Sequence, residues 1–141
     1  MDQPSTFVYS VLKSAWGIRV SVTANVTPLV EGVDANMRVS GNIWISQALD
    51  GRLLGDAEMC MLVHGLRLVA REIEAKNAND SIVIVLTDLH FVESDFQLEG
   101  LAAAICGWAA AHFNFAPREF DVSFDGMLNR YIFDWASAES K

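Results

Sequence analysis

Asp88, His90, Glu93, Asp95 and Glu99 crowd one short stretch of the chain. Carboxylates and an imidazole at that density could hold a divalent cation or supply an acid–base pair. A small metal-dependent enzyme centred on Asp88–Glu99 is the chemistry they would support. The same residues also suit a solvated turn in which Ser94 or Asp95 caps the next helix, because acids are favoured near its positive end. Cys60 and His64 stand four apart on a predicted helix, but two ligands do not make a metal site, and Cys106 lies far along the chain. His112 stands alone on another predicted helix. The chain has no Gly-x-Ser-x-Gly elbow and no Gly-x-x-x-x-Gly-Lys phosphate loop. The sequence is therefore read as non-catalytic, with no metal and no cofactor.

A second set of residues suggests binding rather than catalysis. Ile18, Val20, Val22, Ala24 and Val26 alternate with Arg19, Ser21, Thr23 and Asn25. Met37, Val39, Gly41, Ile43 and Ile45 alternate with Arg38, Ser40, Asn42 and Trp44. Period two with one polar phase marks half-buried strands. An open sheet face carrying Arg19, Arg38, Asn42 and Trp44 among small polar residues has the composition of a protein-binding patch. The alternative is that Trp44 packs beneath the N-terminal segment or a terminal hairpin.

The elements that must position these residues run in the order β, β, β, α, β, α, β, β. Thr6–Leu12 reads as a first strand, Lys13–Gly17 as a turn, and 18–26 and 37–45 as the two alternating strands. Pro28 ends a ladder or marks an edge, and Glu31–Asn36 is a loop. A helix from Asp56 to about Ala75 carries the stripe Met59, Leu62, Leu66, Val69 and Ile73. Ser81–Thr87 reads as a buried strand, continuously apolar over Ile82–Leu86 as a central strand is, and the acidic turn Asp88–Asp95 follows it. A helix from Phe96 to about Phe113 is small and apolar on all sides, with Gly107 implying a close approach. Glu119–Phe124 and Met127–Phe133 form a hairpin about the turn Asp125-Gly126, and Ala136–Lys141 is a polar tail. The fold class is α+β: a single domain over 1–141, a two-layer sandwich with a mostly antiparallel sheet, two helices on one face, and a C-terminal β-hairpin.

The stretch from about Met61 to Phe113 resembles the fourth domain of elongation factor G, in the ribosomal protein S5 domain 2-like fold. The resemblance rests on His64-Gly-Leu-Arg67, on Ile82-Val-Ile-Val-Leu-Thr-Asp88, on His90-Phe-Val-Glu-Ser94 and on the alanine-rich helix that follows. It implies a left-handed β-α-β crossover, an exception to the usual hand, and a translation-linked factor that mimics the shape of that domain at the ribosome. The family's glycine-rich segment before the first helix is not recognisable in 42–55, and the terminal hairpin has no counterpart there.

Composition narrows the partners. The chain has 141 residues, of which 52% are hydrophobic, and a formal net charge of −8. Residues 81–141 hold three basic and nine acidic side chains, while residues 1–48 hold three of each. An acidic surface repels phosphate backbones, which argues against nucleic acid and for a basic protein partner, a toxin or an enzyme. The apolar runs fall short of the roughly 18 residues that a membrane helix needs, and no secretory leader opens the chain. Two cysteines among apolar neighbours read as buried thiols of a reducing, cytoplasmic protein. The resulting expectation is an immunity protein or antitoxin-type inhibitor. A strand edge at Pro28 or in the terminal hairpin could equally pair two copies as a homodimer.

Overall fold

The computed structural model describes residues 3–30, 37–51, 53–78 and 80–135. The anticipated loop at 31–36 and tail at 136–141 lie outside the described residues. Strands β1 (Ser5–Leu12), β2 (Gly17–Pro28), β3 (Met37–Ser40) and β4 (Ile43–Gln47) precede helices α1 (Asp56–Leu68) and α2 (Ala70–Lys76). Strand β5 (Ile82–Phe91) leads through a 3₁₀ turn (Glu93–Asp95) to helix α3 (Glu99–Phe113), and β6 (Asp121–Asp125) and β7 (Arg130–Asp134) close the chain. The architecture is α+β. A five-stranded sheet in the order β1-β2-β5-β4-β3 lies against the helices, and β6-β7 form a separate two-stranded sheet. Three of the four pairings in the large sheet are antiparallel, and β4 and β5 are parallel.

The alternation in β2 holds from Ile18 to Ala24, but Asn25, expected to face outward, is buried beyond the register shift at Thr23–Ala24. Ile18, Val20, Val22 and Ala24 are buried, and Arg19 between them is exposed. The anticipated stripe of Met59, Leu62, Leu66, Val69 and Ile73 is buried entirely. Its helix is nevertheless two helices. Val69 leaves helical geometry at φ −121°, ψ 17°, and its N–H bonds the nearer carbonyl of Leu66. No glycine or proline announces that break in the sequence.

Other boundaries also differ from the sequence expectation. The strand expected at 37–45 is two strands, because Gly41 turns the chain at φ +38° and β3 folds back on β4. The strand expected at Ser81–Thr87 runs on through Phe91, so Asp88–Phe91 belong to the sheet rather than to an acidic turn. Helix α3 begins at Glu99 without a side-chain cap, and Ser94 and Asp95 sit in the 3₁₀ turn. The hairpin turn is also wider than the anticipated Asp125-Gly126 pair. Asp125 Oδ1 accepts the N–H groups of Met127 and Leu128, and Asn129 takes a positive φ of 55°. Asp125 itself pairs with Arg130 across the loop.

Helix α3 is buried from Gly100 through Cys106 and from Trp108 through Ala110. A helix that is apolar all round must be covered all round. The sheet covers it from below: Phe7 of β1 lies under Gly107, so that a Cβ there would meet its ring. This is the close approach that the glycine implied. Helix α1 flanks α3 closely at Gly65, where a Cβ would stand 2.8 Å from Ala102 Cα. The hairpin spans from β1 to α1: Phe133 meets Tyr9, and Trp135 meets His64. Helix α3 packs against both β1 and α1. Buried Tyr131 anchors the hairpin. Its hydroxyl donates to Trp16 O and accepts from Lys13 N–H, while its backbone N–H and O bond Gln97.

Candidate functional site

With the helices and the hairpin on one side, the opposite face of the five-stranded sheet carries the outward phase of each strand. That phase is polar along β2 but has Val8 and Leu12 of β1 and Val83 and Val85 of β5 among its residues, and Asn25, Ser46 and Val83 are buried on it. At one end the register aligns Thr27 of β2, Val83 of β5, Trp44 of β4 and Arg38 of β3. Arg38 and Trp44 are direct cross-strand partners, with the guanidinium carbon 5.8 Å from the indole centroid. Nε and Nη2 of Arg38 also bond Gly41 O at 3.1 and 2.8 Å. The turn thus holds the guanidinium over the ring, an attraction between a cation and the negative ring face. Arg38 is exposed and Trp44 half-buried. The hairpin does not cover Trp44, since its ring contacts are with Tyr9, Trp16 and His64 on the other side. Asn42 lies at the turn, where its carbonyl accepts Ile82 N–H and its side chain faces Ser81 Oγ.

Arg19 is on the same face but at the far end. It pairs with Ser10, whereas the Trp44 row meets β2 at Thr27. Eight residues of strand, roughly 27 Å, separate the two. The structure therefore brings Arg38, Asn42 and Trp44 together and leaves Arg19 outside their group. Strand β2 and the β3–β4 pair are not neighbours either, because β5 runs between them. Pro28 accordingly ends the ladder of an interior strand, and the sheet edges are β1 and β3.

Sequence reasoning missed that β5 adds to this face. Asp88 is opposite Thr23, and exposed His90 is opposite Ser21. The signal was present: after Leu86 the continuous apolar run changes to alternation, with Leu89 and Phe91 inward and Asp88 and His90 outward. That placement scatters the acidic cluster. Asp88 and His90 face out from the strand, Glu93 and Asp95 lie in the 3₁₀ turn, and Glu99 pairs with Arg130 at 2.6 Å. Among the described residues, no group of three or more His, Cys, Asp or Glu side chains is arranged to hold a metal ion.

Cys60 is exposed rather than buried, and Cys106 is buried; both are free thiols. Burial pushes the Cys106 thiol up to about 11, with Arg118 opposing the rise and Glu72 adding to it. A thiol so placed is protonated at neutral pH and a poor nucleophile. His64 turns its ring edge-on to Trp135, and its Nε2 is buried without a hydrogen-bond partner among the described residues. A groove of about 510 Å³ is lined by Trp16, Gln97, Glu99, Asn129 and Arg130 among others. Its polar side chains are bonded to one another or to Tyr131 rather than converging on the groove.

Burial and the nearby Tyr131 push Tyr9 up to about 12. Both raised groups favour the protonated folded state. Their stabilisation is complete below the unfolded values of 9.0 and 10.0, and is lost as pH rises through the folded ones. Urea midpoints are expected to fall from pH 9 to 11 as Cys106 titrates and on towards pH 12 with Tyr9. Cys106→Ala should flatten the first part of that fall. A wild-type midpoint constant over the first interval would contradict the assignment.

Among the described residues, no helix is long and apolar enough to cross a membrane. No protein-family model matches the chain, and no curated protein matches it at a significant level.

Proposed function

We propose that this protein acts without catalysis, by binding another protein through the sheet face opposite its helices. Its specific form is an immunity protein or antitoxin-type inhibitor that blocks a basic toxin or enzyme in the cytoplasm. The observation that carries the reading is the Arg38–Trp44 pair. An arginine fixed by its own turn lies over a half-buried tryptophan on a face that the hairpin leaves uncovered. Tryptophan and arginine dominate binding energy at protein interfaces, and a side chain held in place before binding loses less entropy on docking. The net charge of −8 would draw a basic partner towards the chain, and the Arg38–Trp44 pair would seat it.

The test is titration of the purified protein against the product of the adjacent reading frame, with growth rescue as the second readout. Trp44→Ala is expected to weaken binding by at least about tenfold and to abolish rescue, while leaving the far-UV spectrum unchanged. Arg38→Ala should weaken it less. Unaltered binding by Trp44→Ala would move the interface elsewhere, and failure of the wild type to neutralise its neighbour would sink the inhibitor reading.

A second reading rests on the parallel adjacency of β4 and β5 across α1 and α2, followed by α3. That order suits the strand–helix–strand unit implied by the resemblance to the fourth domain of elongation factor G. A ribosome-bound factor would cosediment with ribosomes at physiological salt. Absence from the pellet would remove this reading and leave the first intact.

A further inference from the structure

The two edges of the large sheet are built differently. Strand β3 spans four residues, carries Arg38, and has a register irregularity between Arg38 and Ser40. Short length, charge and a bulge are the devices by which proteins keep an edge from pairing. Strand β1 has none of them. It runs for eight residues in unbroken register with β2, and its sequence, Ser5-Thr-Phe-Val-Tyr-Ser-Val-Leu12, contains no charge, no proline and no glycine. No described strand pairs with its outer edge. Val8 and Leu12 are 41% and 72% exposed on the open face. Phe7, Tyr9 and Val11 on the helix side are only partly buried.

We propose that β1 is a dimerisation strand. Two copies of the chain pair β1 to β1 antiparallel about a two-fold axis, which joins the two sheets into one of ten strands. The proposal is independent of the function argued above. The occupant follows from symmetry and charge. Antiparallel pairing about a two-fold places each residue opposite one of the same parity, so both faces match themselves. With the axis at Val8, Val8 meets its own copy and Thr6 meets Ser10 on the open face. On the helix side Phe7 meets Tyr9, which brings aromatic rings together across the axis. In a chain of net charge −8, an uncharged strand is where two copies can approach without like-charge repulsion. A strand meant for a basic partner would carry acids, and β1 carries none.

Sedimentation velocity over a concentration series tests this with the full chain and two variants, Val8→Lys and Val8→Glu. The wild type is expected to be a dimer. Each variant should raise the dimer dissociation constant by about tenfold or more, because like charges then meet at the axis. An equimolar mixture of the two variants should restore the dimer, because opposite charges then face each other. Circular dichroism checks that both variants fold. A third variant, Leu12→Lys, lies at the end of the strand and should weaken the dimer less than Val8→Lys. A monomeric wild type, or a dimer indifferent to both charges at Val8, would overturn the proposal. So would failure of the mixture to reassociate while each variant alone is a folded monomer.

Discussion

Trp108→Ala is expected to lower the free energy of unfolding by about 3–5 kcal/mol, a large part of the roughly 5–15 kcal/mol that holds a domain of this size folded. Trp108 is completely buried on α3. It stacks on His112 with centroids 4.7 Å apart and meets Phe113 edge-on. Its Nε1–H donates to Ser5 O at 3.1 Å, and the Ser5 hydroxyl in turn bonds His112 Nδ1. The indole thus joins the last turns of α3 to the first residue of β1. Truncation would leave a cavity beneath a helix packed against the sheet and α1, with little room for collapse. Trp108→Phe separates the two contributions, since it keeps most of the packing and loses the N–H. Its expected cost from the unpaired carbonyl is about 1 kcal/mol, plus whatever packing the smaller ring loses. Urea denaturation of the three proteins measures both. A loss below about 1 kcal/mol for the alanine variant would mean that α3 is not packed as described.

Gly65→Ala is expected to destabilise by about 2 kcal/mol, although alanine is the better helix former by about 1 kcal/mol. An added Cβ would stand 2.8 Å from Ala102 Cα and 2.8 Å from Ile105 Cγ2, and would press on the carbonyl oxygen of Ala102. Backbone atoms cannot rotate away, so the helices would have to separate. Helix α3 has nowhere to go, because Gly107 already rests on Phe7 and Gly100 on Ile18. Gly126→Ala is the control. Nothing lies within 4 Å of its Cβ position, and its effect should stay within about 0.5 kcal/mol. The comparison is one of denaturation midpoints in urea. A Gly65→Ala protein as stable as the wild type would show that the α1–α3 spacing can relax.

Local pattern carried much of the fold. The phase of β2 was visible because one residue in two must be apolar when a strand has one covered face. The stripe Met59, Leu62, Leu66, Val69 and Ile73 was visible because a helix with one covered side repeats every three to four residues. Both patterns are imposed by neighbours but written into adjacent positions. The split at Gly41-Asn42 was harder to see, because the inward–outward alternation continued through the turn, and only the left-handed backbone of Gly41 distinguishes two strands from one. The break at Val69 left no trace in residue type. Neither did the exposure of Cys60, whose neighbours Met59 and Met61 belong to other sides of the same helix.

The candidate site divides in the same way. That Arg19, Arg38 and Trp44 share the outward phase of their strands was legible, since phase is a property of each strand alone, whereas Asn42, expected in the same phase, lies in the turn between β3 and β4. Which of them meet was not legible. Distance across a sheet depends on strand order and register, and β5, distant in sequence, inserts between β2 and β4. That insertion leaves Arg19 about 27 Å along β2 from the row where Arg38 and Trp44 pair.

By itself, then, the sequence determined the α+β class, the buried stripe and strand phases, the acidic balance, and the need for small residues where α3 is approached closely. These are consequences of burial and charge acting residue by residue. Tertiary structure alone decided that β5 would separate the two alternating segments, that the hairpin would pack on the helix side of the sheet rather than over Trp44, and that β1 would be left as an uncharged edge. Those outcomes depend on which surfaces meet, and the long-range pairings that select them leave no periodic mark in the chain.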